Sequence, residues 1–164
     1  MSLPKPIEEK LGGAPDGKMS VRLELRLLTC GALIERRISA ALREQFGTTL
    51  PRFDFLAALQ RGGELTLGEV SRLLMVSNGN ITVLANRLRQ DGLVEDAAGR
   101  GDRRAQYVRL TAEGARQFAR MAATNERWVE QLFADLQPSE KEELLRLLDL
   151  AKHSLQRSQM EIAR

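Results

Sequence analysis

Thr66-Leu67-Gly68-Glu69-Val70-Ser71-Arg72-Leu73-Leu74-Met75-Val76-Ser77-Asn78-Gly79-Asn80-Ile81 holds the start signals of two helices and the turn between them. Thr66 puts a hydroxyl at an N-cap and Glu69 a carboxylate three residues on, so each can satisfy a free backbone N–H of a starting helix. The helix predicted there carries Leu67, Val70, Leu73 and Leu74 and stops near Met75-Val76. Ser77 then caps a second helix, on which Ile81, Leu84, Ala85 and Leu88 recur at the three-and-four spacing of one buried stripe. Gly92 ends it, because glycine takes the left-handed C′ conformation without a Cβ clash. Two strand-like runs follow, Leu93-Val94-Glu95 and Tyr107-Val108-Arg109-Leu110. Between them Gly99-Arg100-Gly101-Asp102-Arg103-Arg104 has the turn residues and the cations of a β-hairpin tip. Two short helices and a basic hairpin in this order predict a winged helix-turn-helix, a unit that reads DNA rather than transforming a substrate.

Helical geometry assigns the readout. At about 100° per residue, Ile81, Leu84, Ala85 and Leu88 face inward and leave Gly79, Thr82, Val83, Asn86, Arg87 and Gln90 around the outside of the second helix. That outer face is expected to enter the major groove. There Asn86 can pair bidentately with adenine, Thr82 and Val83 can touch a thymine methyl, and Arg87 can reach a guanine edge or a phosphate. Ser77, Asn78 and Asn80 suit phosphate contacts, since the free N–H groups of a helix start favour an anion; alternatively the two asparagines only solvate that start. The formal charge of the chain is only +3, so clustering matters more than the total. Arg87, Arg89, Arg100, Arg103, Arg104 and Arg109 stand against Asp91, Glu95, Asp96 and Asp102, and the wing tip is the densest positive spot. Asp102 is expected to orient the wing arginines through an ion pair, because phosphate repels a carboxylate.

Working outward, residues 1–18 hold Pro4, Pro6, Gly12, Gly13, Pro15 and Gly17 with little apolar periodicity and read as a flexible arm. From about Val21 to Gln45, Leu23, Leu27, Ile34, Ile38, Ala41 and Leu42 fall on one side of a long helix that Gly47 can end. A second helix follows Thr49-Leu50-Pro51, carries Phe53, Leu56 and Leu59, and stops at Gly62-Gly63. After the wing, Ala112 to about Leu136 and Pro138 to about Gln159 read as two more helices, longer than a minimal reader requires. Leu144, Leu147, Leu148, Ala151 and Leu155 of the last one form either core packing or a dimer seam, and the seam is preferred because a small reader has little core for it to cover. The expected class is mainly α with a small β-wing. The expected division is a dimerisation helix at 19–48, the winged helix-turn-helix at 49–111 and, at 112–164, C-terminal helices completing a helical dimerisation domain.

Catalysis has no foothold. His153 is the sole histidine and sits on the seam helix, so neither a Ser-His-Asp nor a Cys-His arrangement has a base in a plausible place. One cysteine and one histidine cannot build a usual zinc site, and no H-E-x-x-H or C-x-x-C occurs. Gly99-Arg100-Gly101 follows no strand-to-helix pattern, so it is no phosphate loop. No catalytic residue, metal or cofactor is therefore expected. A single cysteine fits a reducing cytoplasm. No apolar run approaches the roughly 20 residues that span a bilayer, and no secretory signal pattern opens the chain.

Three stretches resemble the multiple-antibiotic-resistance-regulator (MarR) family of bacterial transcription factors: Leu65-Thr66-Leu67-Gly68-Glu69-Val70, Val76-Ser77-Asn78-Gly79-Asn80-Ile81-Thr82, and Asn86-Arg87-Leu88 leading into Gly92-Leu93-Val94. The family's wing signature, Asp-x-Arg and then Leu-Thr, is similar to Asp102-Arg103-Arg104 and Leu110-Thr111, and the likeness runs from about Leu25 to about Leu155. Asn86 stands where many relatives carry aspartate. The resemblance implies a homodimer on a pseudo-palindromic double-stranded operator, with Arg104 as the wing arginine of the minor groove. It also implies release of DNA when an anionic aromatic compound enters between the reading lobes and the helical dimer domain, which makes repression of a catabolic operon the preferred role.

On the first helix Arg22, Arg26 and Arg37 line one flank of the apolar stripe, and Arg36 lies about 100° further round. Such a flank can bind a carboxylate or the phosphates of a coenzyme A thioester, or it is a solvated edge paired to Glu24 or Glu35. Ser77-Asn78-Gly79-Asn80 also looks like the segment of members that respond to aromatic acids or their thioesters. Some members use a first-helix cysteine as a peroxide sensor. Here Cys30 falls toward the apolar side and is expected to be a small buried packing residue, with redox sensing as the rival. A winged helix used as a protein-interaction module is the other alternative.

Overall fold

The computed structural model describes residues 19–97 and 106–158, so the N-terminal arm and the wing-tip residues Arg100, Asp102, Arg103 and Arg104 lie outside the described residues. The elements run α1 (Met19–Phe46), α2 (Leu50–Gly62), β1 (Leu65–Thr66), α3 (Leu67–Leu74), α4 (Asn78–Gln90), β2 (Val94–Ala97), β3 (Tyr107–Leu110), α5 (Ala112–Leu132) and α6 (Pro138–Arg157). They fall into two compact units that divide between Asn125 and Glu126.

The reciprocal cap expected at Thr66 forms. Its hydroxyl accepts from the Glu69 N–H at 3.2 Å, and the Glu69 carboxylate accepts from the Thr66 N–H at 2.7 Å and from its hydroxyl at 2.8 Å. The backbone donor, followed by the hydroxyl, holds the Glu69 carboxyl below its ordinary value. α3 then turns into α4 through Met75, which sits in the left-handed region at φ 54°. The buried Ser71 hydroxyl donates to the Val76 carbonyl at 2.6 Å and ties this turn to the helix behind it.

α4 ends as its glycine predicts. Gly92 has φ 70°; the Leu93 N–H reaches back to the Leu88 carbonyl at 2.9 Å, and the Gly92 N–H reaches that of Arg89 at 2.9 Å. This is the paired closure of a Schellman turn, and it aims the chain straight into β2. β2 and β3 pair antiparallel with Glu95 opposite Arg109, and β1 adds to the far side of β3 with Leu65 opposite Val108. The two-residue β1 shares Thr66 with the α3 cap and is too short to show any alternation in sequence.

The core of the first unit joins Leu42 of α1, Phe55, Leu56 and Leu59 of α2, Val70 of α3, Ile81 and Leu88 of α4 and Val108 of β3, all fully buried. Phe53 adds a tilted ring contact with Phe118 of α5 at 5.4 Å between centroids. Thr111 hinges the wing to α5. Its hydroxyl accepts from the Gly114 N–H at 2.9 Å and donates to the Gly92 carbonyl at 2.7 Å.

Two expectations for α1 need correction. Cys30 is exposed, not buried, and Leu23 on the expected inner stripe is exposed as well. In α1 only Ile38 and Leu42 are buried, because the core is built against the C-terminal half of the helix. α5 also stops at Leu132 rather than near Leu136. From Phe133 onward the bonds tighten to the three-residue type, with the Ala134 N–H on the Gln131 carbonyl and the Leu136 N–H on that of Phe133, ahead of Pro138 at the start of α6.

Candidate nucleic-acid interface

α4 separates its two faces cleanly. Ile81, Ala85 and Leu88 are buried and Leu84 is half-buried, whereas Gly79, Thr82, Val83, Asn86, Arg87 and Gln90 are all exposed. The apolar stripe that seats the helix therefore leaves a mostly polar strip outward, interrupted by the exposed Val83. The Thr82 hydroxyl donates to the Asn78 carbonyl at 2.9 Å, which turns its proton back into the helix and leaves its methyl for outside contact.

At the start of α4 the Ser77 hydroxyl accepts from the Asn80 N–H at 3.4 Å, while Asn78 and Asn80 are exposed in the first turn. The helix start thus presents polar side chains beside the backbone N–H groups of a first helical turn, the arrangement that favours an anion.

The basic cluster read from the sequence divides in two. Arg109 on β3 is tied to Glu95 at 2.8 Å and to Glu64 at 3.4 Å, and the hydrogen bond and charge of Glu95 raise its guanidinium above the ordinary value. Arg89 is tied to Asp96 of β2 at 2.6 Å. Both are braces of the hairpin. Arg87 lies exposed on the outer strip, and among the described residues no carboxylate pairs with it.

Sequence reasoning missed three side-chain contacts that fix this surface. Arg52, at the start of α2, pairs with Asp91 at the end of α4 and so clamps the outer helix from behind. Thr111 bonds to Gly92, fixing the turn between α4 and the hairpin. Arg89 donates through Nη1 to the Asn86 Oδ1 at 2.8 Å. Only the last left a signal, because Asn86 and Arg89 stand three residues apart on one helix.

Arg22, Arg26, Arg36 and Arg37 are exposed along α1. They do not line the open cavity of about 530 Å³ in the first unit, whose wall includes Gln45, Arg52, Asp91, Gln117 and Arg120. In the second unit, Leu144, Leu147, Leu148 and Leu155 of α6 are exposed and Ala151 is half-buried; no residue of this helix is buried. Among the described residues no helix is long and apolar enough to cross a membrane.

Comparison with known proteins gives a consistent result. A model of the MarR family matches residues 46–105, from the end of α1 to just short of β3. The HTH-type transcriptional repressor IacR of Pseudomonas putida is 28% identical over 115 residues, covering 70% of this chain and 69% of its own length. The transcriptional activatory protein BadR of Rhodopseudomonas palustris is 33% identical over 106 residues, covering 62% of this chain and 60% of its own. Among solved structures, a MarR mutant of E. coli complexed with operator DNA superposes with a TM-score of 0.72 at 22% identity, over 84% of this chain and 99% of that one, which shows a shared fold.

Proposed function

We propose that this chain, whose residues 46–105 match the model of the MarR family, is a regulator of that family and works as a homodimer whose two α4 helices read the half-sites of a pseudo-palindromic operator. The observation that carries this reading is the outer strip of α4, where Thr82, Val83, Asn86 and Arg87 are exposed on a helix seated by fully buried Ile81, Ala85 and Leu88. Ser77, Asn78 and Asn80 hold phosphates at the start of that helix. Arg100, Arg103 and Arg104 of the wing reach the neighbouring minor groove, with Asp102 orienting them. The E. coli MarR structure has operator DNA bound, and its fold is shared here.

Dimerisation runs through the terminal helices, residues 19–48 and 112–164. The exposure of Leu144, Leu147, Leu148 and Leu155 supports this, because a helix with no buried residue gains little from packing within one chain. The regulator acts as a repressor, like IacR by name, and leaves its operator when an anionic aromatic compound binds near Arg22, Arg26, Arg36 and Arg37. An aromatic acid or its coenzyme A thioester has the charge for that exposed arginine row.

Selection of bound duplexes from a randomised pool tests the reading. It predicts an enriched motif with two-fold symmetry and half-site centres about one helical turn apart. Enrichment of no motif would favour a protein-docking role for the winged helix instead. Titration of the bound complex with aromatic acids and their thioesters then tests release, and a tenfold loss of affinity needs about 1.4 kcal/mol of differential binding.

A further inference from the structure

Asn86 is not a free amide. Its Oδ1 accepts from Arg89 Nη1 at 2.8 Å, while the Nε and Nη2 of the same guanidinium both donate to Asp96 Oδ1, at 2.9 and 2.6 Å. All three guanidinium nitrogens are thus engaged, two on the hairpin stem and one on the reading helix. Arg89 is mostly covered, at 22% side-chain exposure, so the fork is held by its surroundings as well as by its bonds. The contact also settles which way the amide faces. Arginine has only donors, so the atom it touches is the carbonyl oxygen, and the amide NH₂ is the end left over.

We propose that Arg89, braced by Asp96, biases Asn86 toward reading as a donor, so that each half-site carries guanine rather than adenine at the base Asn86 contacts. The inference rests on α4 being the reading helix. An asparagine reads adenine by accepting from N6 through its carbonyl while donating to N7. Here one lone pair of the carbonyl already accepts a charged donor, and that guanidinium repels the partly positive N6 amino group that would have to use the other. The same contact polarises the amide and strengthens its N–H donors. Guanine offers two neighbouring acceptors, N7 and O6, and no donor beside them, so it suits both the amide and the nearby positive charge. Arg89 and Asp96 act as positioning residues, and the wing's first strand thereby helps set the sequence that the helix reads.

The test is selection from a half-site library, with wild-type protein and the Asn86→Ala, Arg89→Met and Asp96→Asn variants compared by sequencing bound DNA. Wild type selects guanine at one position per half-site, and Asn86→Ala erases that preference. Arg89→Met frees the carbonyl and moves the preference at that position from guanine to adenine by about tenfold. Asp96→Asn shifts it in the same direction by less, because the neutral amide keeps an acceptor for Arg89 but holds the fork against Asn86 more weakly than the carboxylate does. Thermal melting monitors folding, and Asp96→Asn carries the test if Arg89→Met does not fold. A purely structural pair would lower affinity for all sequences alike and leave the base ranking untouched. Adenine preferred by wild type, or guanine preference unchanged in both Arg89→Met and Asp96→Asn, overturns the inference while leaving DNA reading intact. A wild type that enriches no sequence overturns the reading-helix assignment itself.

Discussion

Gly114 shows how one residue can carry the junction between wing and long helix. A Cβ there would lie 1.9 Å from the Leu93 carbonyl oxygen and 2.9 Å from its carbon, and both are backbone atoms that no rotamer change can move. Gly114→Ala is therefore expected to cost about 3 kcal/mol, read as a lower urea midpoint. Met75 points the other way. It occupies a left-handed position and is 93% exposed, so it suffers the Cβ clash of that conformation while burying almost nothing. Met75→Gly should stabilise the protein by about 0.5–1 kcal/mol in the same measurement, since the relieved strain outweighs the added freedom of the unfolded chain. Thr66→Ala removes the α3 cap and should cost about 1 kcal/mol. Of these residues, Thr66 announced its role through its spacing to Glu69. Gly114 and Met75 did not, because a close approach and a left-handed turn depend on neighbours that only the folded chain supplies.

At the scale of elements, local chemistry decided most boundaries. Caps mark the starts of α3 and α4 and glycines the ends of α2 and α4, and each is a short-range signal. β1 escaped because a two-residue strand exists only through its pairing with β3. The α4 face was legible because three buried residues fix its rotation. The contacts among Asn86, Arg89 and Asp96 depend on side-chain reach after the Gly92 turn, which periodicity does not encode. Cys30 and Leu23 were misplaced because an apolar stripe says which side of a helix is sticky and not how far along it a core extends.

α2 offers a test of electrostatics within one element. Burial, partly offset by Arg61 and reinforced by Glu35, raises the Asp54 carboxyl above its ordinary 3.8. The fold therefore disfavours the charged form, and this cost is present at neutral pH and disappears as pH falls through the raised folded value toward the unfolded one. Asp54→Asn should melt higher than wild type at pH 7, with the gap closing near pH 4. A gap that persists unchanged in acid would mean that packing, not charge, explains the variant.

For the whole molecule, the uncovered leucines are the main departure from a self-sufficient fold. Leu145 is 64% exposed and Leu155 71%, on a helix that contributes no buried residue. A stable interface removes roughly 1,200–2,000 Å² from water, which demands apolar surface of this kind. The double substitution Leu147→Glu and Leu148→Glu should give a monomer by light scattering at micromolar concentration and abolish operator binding with it, since two half-sites need two reading helices. A variant that stays dimeric would move the seam elsewhere.

The central claim is that this winged helix reads DNA sequence, and fluorescence anisotropy on one selected duplex and its scrambled counterpart, from 50 to 200 mM salt, tests it most directly. With about six phosphates contacted, affinity for both duplexes should fall by roughly a thousandfold across that range. The selected duplex should stay ahead of the scrambled one throughout, because base contacts are far less sensitive to salt than phosphate contacts. Equal affinity for the two duplexes, or binding indifferent to salt, would contradict the account.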